Sequence, residues 1–286
     1  MVKILCIAGT TASGKSARAI EEAFSRNGEI ISVDSRQVYR GLDIGTEKST
    51  HEEMCGVPHH LIDVRNVNES YSAGDFVADA SRLIEDISTR GKLPILVGGT
   101  HFYFDALIHG LPRESPTDAY LRREMEHLPT EDLYSRVLAL DPRRAQELDP
   151  LNRRRLIRAL EIIHTHGHVP ERSRSESKYD VEWIIINPPM TELRERIDTR
   201  LKSAFGRGLT AEVGRIRALV GGQRLNELGL EYKIVGEFLQ GERTEASLFP
   251  ALSSKLWQYA RHQKAWLRKL RDEHVIPATL SHRDRN

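Results

Sequence analysis

Short apolar segments alternate with segments of helical periodicity along the first 110 residues. Four segments are apolar nearly throughout, which predicts strands buried on both faces of a sheet: residues 2–8, 30–33, 61–64 and 93–97. Three segments repeat apolar side chains every three to four positions, which predicts helices: residues 16–25, 76–89 and 102–108. The alternation is typical of an α/β fold with helices on both faces of a parallel sheet.

The pattern changes after residue 111. From residue 117 to about residue 164 nearly every segment fits a helix, with breaks at Pro129, Pro142 and Pro150. A strand pattern returns at residues 182–186, and a helix is predicted over residues 191–205. We therefore expect a mainly helical insertion over residues 112–180. The α/β core would consist of residues 1–111 and 181–286, with helices at its C-terminal end.

Composition narrows the class of protein. The 286 residues are 39% hydrophobic and 29% charged, which excludes a disordered chain. No apolar run approaches the roughly 20 residues that span a bilayer, so we expect no membrane partner. The first residues lack the apolar core of a signal peptide, and the chain has only two cysteines. We therefore expect a cytoplasmic protein without a disulfide framework.

Charge is distributed unevenly although the net charge is only +1. Residues 1–110 carry 11 basic and 15 acidic side chains, whereas residues 196–286 carry 17 basic and 10 acidic ones. A basic C-terminal third fits a polyanionic partner such as a nucleic acid. Ordinary solvated helix faces explain the same excess, so charge alone leaves both interpretations open.

A phosphate-binding motif follows the first predicted strand and opens the first predicted helix. It consists of Gly9, Thr10, Thr11, Ala12, Ser13, Gly14, Lys15 and Ser16, hereafter the phosphate loop. Backbone N–H groups of such a loop and the helix N-terminus attract a phosphate group. Lys15 can neutralise that phosphate, and the Ser16 hydroxyl can hold Mg²⁺. The motif, together with the strand pattern, predicts an α/β fold with a P-loop NTPase-like parallel sheet flanked by helices.

Two further polar residues follow predicted strands. Asp34 ends the second strand, and Thr100 follows the fourth strand after two glycines. Because ligands in open α/β sheets bind beyond the carboxyl ends of the strands, both residues should lie beside the phosphate loop. Asp34 can hold Mg²⁺ through water, act as a base or simply cap a turn. No acid follows the fourth strand, which weakens the interpretation as a nucleotide hydrolase.

Arginines cluster on two predicted helices. Arg154, Arg155 and Arg158 lie on neighbouring turns of one helix, and Arg196 and Arg200 share a face of another. Like charges at this spacing repel each other unless an anion joins them. The anion could be a ligand phosphate or, for the first cluster, an acidic side chain such as Glu161.

Together these motifs resemble the tRNA dimethylallyltransferase family, also called the tRNA isopentenyltransferase or IPP transferase family. The resemblance covers most of the chain in order. It rests on residues 9–16, 34–39, 41–46, 56–60, 71–73, 97–100, 155–161, 196–200 and 258–263, and on Trp266.

The resemblance implies transfer of a dimethylallyl group from dimethylallyl diphosphate to N6 of adenine 37 of tRNA, with release of diphosphate. The phosphate loop would hold the donor diphosphate, and Asp34 would be the general base. Thr100 and Arg200 would assist at the diphosphate, with Mg²⁺ on Ser16 as the cofactor. The adenine would be flipped out of the anticodon loop, and the helical insertion would grip the anticodon arm. We expect a monomer.

The resemblance also implies a set of tRNA contacts. These are Asp34, Ser35, Arg36, Gln37, Thr100, Arg122, Arg154, Arg155, Arg158, Tyr232 and Lys233. The chain departs from many bacterial members at residues 228–233, where Leu228 and Glu231 replace an arginine and a glycine.

Three alternatives stay open at this point. An adenylate isopentenyltransferase would use the same donor with a free nucleotide, but it would need neither the insertion nor the basic C-terminal third. A small-molecule P-loop kinase should carry a lid with arginines that face the phosphates. A non-catalytic RNA-binding module would leave the phosphate loop, Asp34 and Thr100 without a purpose.

Overall fold

A five-stranded parallel sheet forms the centre of the fold. The structure is a computed structural model, and it describes residues 1–111, 119–170 and 176–274. The sheet has the order β3-β2-β4-β1-β5. Its strands are β1 (Val2–Gly9), β2 (Gly28–Val33), β3 (His59–His60), β4 (Leu93–Gly98) and β5 (Tyr179–Ile186). The predicted parallel α/β sheet is thereby confirmed.

Alternate residues of β1, which lies between β4 and β5, pack into different cores. Leu5 and Ile7 pack with Ala19 of the first helix, whereas Ile4 and Cys6 belong to a second core cluster. All four are fully buried, which explains why this strand is apolar without alternation. The helices of this part are α1 (Lys15–Arg26), α2 (Ala73–Thr89) and α3 (His101–His109).

The chain divides into two compact units. The first comprises Met1–Ile108 and Ser177–Asn286, and the second comprises His109–Glu176. The part of the first unit that the structure describes contains four further helices, and several of them bury their apolar faces in a third core. These are α8 (Met190–Gly206), α9 (Leu209–Glu227), α10 (Leu230–Leu239) and α11 (Glu245–His274).

The described residues of the second unit are helical wherever they have regular secondary structure. Its helices are α4 (Ala119–Glu126), α5 (Thr130–Leu140), α6 (Pro142–Glu147) and α7 (Arg153–His166). The predicted breaks have local causes: Pro129 is the N-cap of α5, and Pro142 is the first residue of α6. The predicted start of the insertion at residues 112–118 lies outside the described residues.

The predicted strand over residues 61–64 is wrong. Only His59 and His60 pair with β2, and the chain then turns, with φ of 60° at Leu61 and 56° at Asp63. The side chain of Leu61 in this turn is buried, and Asp63 accepts a hydrogen bond from Lys48 Nζ at 2.6 Å. The apolar run therefore marked burial and not an extended backbone.

Within the described ranges, no helix is both long and apolar enough to cross a membrane.

Candidate functional site

The phosphate loop lies at the carboxyl edge of the sheet, between β1 and α1. Gly14 has φ of 89°, a left-handed conformation that favours glycine. A Cβ atom at Gly9 would approach Ser13 Oγ to 2.6 Å, so a side chain there would crowd the loop. The hydroxyl oxygens of Thr10 and Ser13 are buried with no hydrogen-bond partner among the described residues. Both hydroxyls therefore have unused hydrogen-bonding capacity within the loop.

Lys15 directs a positive charge toward this loop. Its Nζ donates a hydrogen bond to the Thr10 carbonyl oxygen at 3.3 Å. Burial lowers the pKa of Lys15 to about 8; the negative charge of Asp34 opposes the shift, and the positive charge of Arg200 adds to it. A bound phosphate would favour the charged ammonium form. Ser16 follows in the first turn of α1 and is exposed.

Helix α8 brings two arginines to the same loop. Arg200 Nη1 donates to Thr11 Oγ1 at 2.6 Å, and Arg196 Nη1 donates to the Ser13 carbonyl oxygen at 3.2 Å. The two arginines help to line a groove of about 590 Å³ that also includes Ala12 and Gly14. Three cations, one from α1 and two from α8, thus converge on the loop, which can bind a strongly anionic group.

Asp34 lies immediately after β2. Its Oδ1 accepts hydrogen bonds from the backbone N–H groups of Arg36 at 2.8 Å and Gln37 at 3.2 Å. These bonds close a turn that fixes the carboxylate at the sheet edge. No described residue bonds to Oδ2 of Asp34, so this oxygen can accept a proton or a hydrogen bond from a substrate.

Thr100 lies next to Asp34 because β4 pairs with β2. Its backbone N–H donates to the Val33 carbonyl oxygen at 3.2 Å, and its Oγ1 accepts from the Ser35 N–H at 3.1 Å. This close approach requires Gly98, where a Cβ atom would lie 2.0 Å from the same carbonyl oxygen. The structure thus brings Asp34, Thr100 and the phosphate loop to one edge of the sheet.

Helix α11 contributes a residue to which we assigned no role from the sequence. The Gln263 side chain accepts from the Thr11 N–H at 2.9 Å and donates to the Gly99 carbonyl oxygen at 3.1 Å. It thereby ties the phosphate loop to the turn that carries Thr100. Its place in the motif at residues 258–263 was the only sequence signal.

The next turn of α11 presents Trp266, which stacks on the ring of His101 with centroids 4.0 Å apart. Burial lowers the pKa of His101 to about 4, and the nearby charge of Lys15 adds to the shift. The imidazole is therefore neutral at physiological pH.

The residues expected to contact tRNA fall into different surroundings. Ser35, Arg36 and Gln37 share the Asp34 turn, and Lys233 is exposed on α10. Tyr232 is different. Its side chain is 1% exposed, and its hydroxyl donates to Glu212 at 2.7 Å. The phenol of Tyr232 is therefore held in the core, and its role as a tRNA contact stays a prediction.

In the second unit, Glu161 joins two of the predicted arginines. This carboxylate is buried and forms ion pairs of 3.0 Å with Arg122 and with Arg158. The acidic partner considered for the cluster is thus present for Arg158. Arg154 and Arg155, in contrast, are exposed on the first turn of α7. The unit therefore presents Arg154 and Arg155 to solvent on the same helix that carries the buried Glu161.

Comparison with known proteins gives a consistent set of relatives. A family model described as IPP transferase matches residues 37–270. The tRNA dimethylallyltransferase of Anaeromyxobacter dehalogenans is 38% identical over 279 residues, which cover 94% of this chain and 93% of that protein. The tRNA dimethylallyltransferase 1 of Citrifermentans bemidjiense is 40% identical over 278 residues, with coverage of 95% and 90%.

Solved structures resemble the chain over nearly its whole length. The full-length tRNA isopentenylpyrophosphate transferase of Bacillus halodurans has a TM-score of 0.71 and 36% identity, covering 94% of this chain and 87% of that one. A eukaryotic dimethylallyltransferase that acts on tRNA has a TM-score of 0.80 and 29% identity, covering 93% of this chain and 70% of that one.

Proposed function

Because the chain belongs to the IPP transferase family, we propose that it transfers a dimethylallyl group from dimethylallyl diphosphate to N6 of adenine 37 in tRNA. One observation carries the proposal: an anion-binding loop with three converging cations lies at the same sheet edge as a carboxylate with an unbonded oxygen. The first feature suits a diphosphate leaving group, and the second suits removal of a proton from the acceptor amine.

The donor diphosphate binds in the phosphate loop. Lys15 and Arg200 neutralise its charge, and the unpartnered hydroxyls of Thr10 and Ser13 donate hydrogen bonds to its oxygens. Ser16 fits Mg²⁺, since this ion is commonly held by one or two protein oxygens, water and substrate phosphates, and the residue is exposed beside the loop. Bound there, Mg²⁺ would supply further positive charge to the departing diphosphate.

The acceptor amine of adenine is a weak nucleophile because its lone pair is delocalised into the ring. Asp34 Oδ2 takes a proton from N6 as the bond from N6 to C1 of the dimethylallyl group forms. The bond from C1 to the diphosphate oxygen breaks, and the cations of the loop receive the negative charge. Thr100, fixed beside Asp34 by the pairing of β2 with β4, offers its hydroxyl to the same reaction centre. Holding both reactants in line lowers the barrier further.

The tRNA is bound by its anticodon arm. Arg154 and Arg155 on the helical unit, together with Arg36 and Lys233 on the α/β unit, provide charges for phosphate contacts. Arg122 and Arg158 contribute mainly through Glu161, which fixes the arrangement of α4 and α7. The enzyme acts as a monomer.

A transfer assay tests this proposal. Purified protein, Mg²⁺ and dimethylallyl diphosphate labelled in the allyl group are offered unmodified tRNA with A36 and A37, and AMP in a parallel reaction. We expect label in tRNA and none in AMP. Label in AMP alone would make the protein a free-nucleotide isopentenyltransferase, and label in neither acceptor would contradict the proposed donor.

A further inference from the structure

A buried carboxylate outside the reaction centre collects four hydrogen bonds. Glu212 lies on α9 and is 1% exposed. Its Oε2 accepts from the N–H groups of Asp43 at 3.1 Å and Ile44 at 2.8 Å. Its Oε1 accepts from the Gly45 N–H at 3.0 Å and from the Tyr232 hydroxyl at 2.7 Å. One side chain thus fixes three consecutive backbone groups of a segment that has no regular secondary structure.

This segment, residues 43–47, continues to the reaction centre. The carbonyl oxygens of Thr46 and Glu47 accept hydrogen bonds from Gln37 Nε2 at 3.2 and 3.3 Å. The Gln37 backbone N–H in turn donates to Asp34 Oδ1. A continuous series of bonds therefore runs from Glu212 through the segment and Gln37 to the carboxylate that serves as the base.

The segment has little room to adjust. A Cβ atom at Gly45 would lie 2.8 Å from the Tyr232 ring, so the backbone is pressed against this side chain. At the end of the segment, Lys48 Nζ binds both Asp43 and Asp63 at 2.6 Å. The carbonyl oxygens that hold Gln37 are thereby fixed from both sides.

We propose that Glu212 is a positioning residue for the transfer reaction, acting through residues 43–47 and Gln37 on the orientation of Asp34. The inference rests on the proposed function. It gives the buried Tyr232 a role, because its phenol completes the set of donors around Glu212. A misplacement of about 1 Å at a reacting group can lower a rate about a hundredfold, so loss of this support should slow the chemical step.

Glu212→Gln tests the inference with little change of shape. The amide replaces one acceptor oxygen by an NH₂ group, which faces backbone N–H donors and repels them. We expect kcat for tRNA prenylation to fall by about tenfold to a hundredfold. The affinity for dimethylallyl diphosphate should stay within twofold, because among the described residues no hydrogen bond joins residues 43–47 to the phosphate loop: the bonds that fix this segment go to Glu212, Gln37 and Lys48. Glu227→Gln, an exposed glutamate on the same helix, is the matched control and should retain the wild-type kcat.

Two further variants separate positioning from general stability. Gly45→Ala pushes the segment away from Tyr232 without altering the carboxylate, so it should reproduce the loss of kcat even if Glu212→Gln does not fold. Gln37→Met removes the side-chain hydrogen bonds to the carbonyl oxygens of Thr46 and Glu47. If Glu212 acts through Gln37, the variant that combines Glu212→Gln with Gln37→Met should have a kcat no lower than that of the slower single variant.

Three results would overturn the inference. Glu212→Gln could have the wild-type kcat, or it could lose kcat and donor affinity by the same factor. In the double variant, the fold losses in kcat of the two single variants could multiply. An assay of the wild-type protein distinguishes failure of the positioning role from failure of the proposed function. Transfer by the wild type with no effect of Glu212→Gln rejects only the positioning role. No transfer by the wild type rejects both.

Discussion

Replacing Gln263 by leucine should disrupt the phosphate loop without removing any group that contacts substrate. The side chain is 4% exposed, and its hydrogen bonds include those with the Thr11 N–H and the Gly99 carbonyl oxygen. Leucine has a similar size but leaves both backbone groups buried and unpaired. Each unpaired group costs about 1–3 kcal/mol. The combined cost is about 1–4 kcal/mol once apolar burial of leucine offsets part of it.

The cost should appear in donor binding. We expect the loop of the variant to open in the free protein, where water can reach the two backbone groups, and to close when the diphosphate binds. Since 1.4 kcal/mol corresponds to a factor of ten, the dissociation constant for a non-reactive donor analogue should rise by about tenfold or more. Isothermal titration calorimetry measures this dissociation constant, and thermal unfolding measures any loss of stability of the whole protein.

Gln258→Leu is the matched control, because Gln258 lies on the same helix and is exposed. It should leave donor affinity and Tm unchanged. If Gln263→Leu changes donor affinity by less than twofold and has the Tm of the control, the bridge does not organise the phosphate loop, and the reasoning fails.

Four further substitutions test separate parts of the account. Asp34→Asn should lower turnover by at least a hundredfold while tRNA affinity in a gel-shift assay stays within threefold; normal turnover would exclude Asp34 as the base. Lys15→Ala should weaken donor binding at least tenfold but leave tRNA binding unchanged, and equal donor affinity would reject the phosphate-loop assignment. Arg155→Glu should weaken tRNA binding and reduce its dependence on salt concentration, whereas an unchanged slope would place Arg155 outside the interface. Glu29→Gln should lower the free energy of unfolding by about 3 kcal/mol at pH 7, as measured by urea titration, because Glu29 is a buried carboxylate that binds several cations.

The Glu29 effect has a defined pH dependence. Hydrogen bonds from Arg90, and further ones from Lys92 and His60, hold the pKa of Glu29 well below its usual range although burial opposes them. A carboxyl group whose pKa is depressed by folding stabilises the protein above its unfolded pKa of about 4.3. The stabilisation is lost as pH falls below that value. The difference in free energy of unfolding between wild type and Glu29→Gln should therefore narrow from pH 7 toward pH 3. A constant difference would contradict the stabilising role of the ionised Glu29.

The sequence predicted the sheet and its functional edge because both depend on local signals. Apolar runs mark strands buried on two faces, and Asp34 and Thr100 directly follow such runs. Once the strands are parallel and β2 pairs with β4, these residues must meet at one edge. The phosphate loop is likewise a local feature, since it depends on consecutive residues between a strand and a helix.

The support around the site could not be predicted in the same way. Gln263 reaches Thr11 across 252 positions of sequence, and Glu212 reaches Gly45 across 167. No periodicity marks such partners, because a buried polar residue on a helix resembles any other until its neighbours are known. The burial of Tyr232 could not be predicted for the same reason: its motif indicated proximity to the site, but only packing distinguishes a phenol that faces the core from one that faces solvent.

The central claim is transfer of the dimethylallyl group to N6 of adenine 37. The most direct test is mass mapping of ribonuclease fragments after reaction of the protein with unmodified tRNA and dimethylallyl diphosphate, beside the same tRNA carrying guanine at position 37. We predict one dimethylallyl group on the fragment that contains adenine 37, located on the base as N6-dimethylallyladenosine, and no modification of the substituted tRNA. Modification at another position, or equal modification of both tRNAs, would contradict the account.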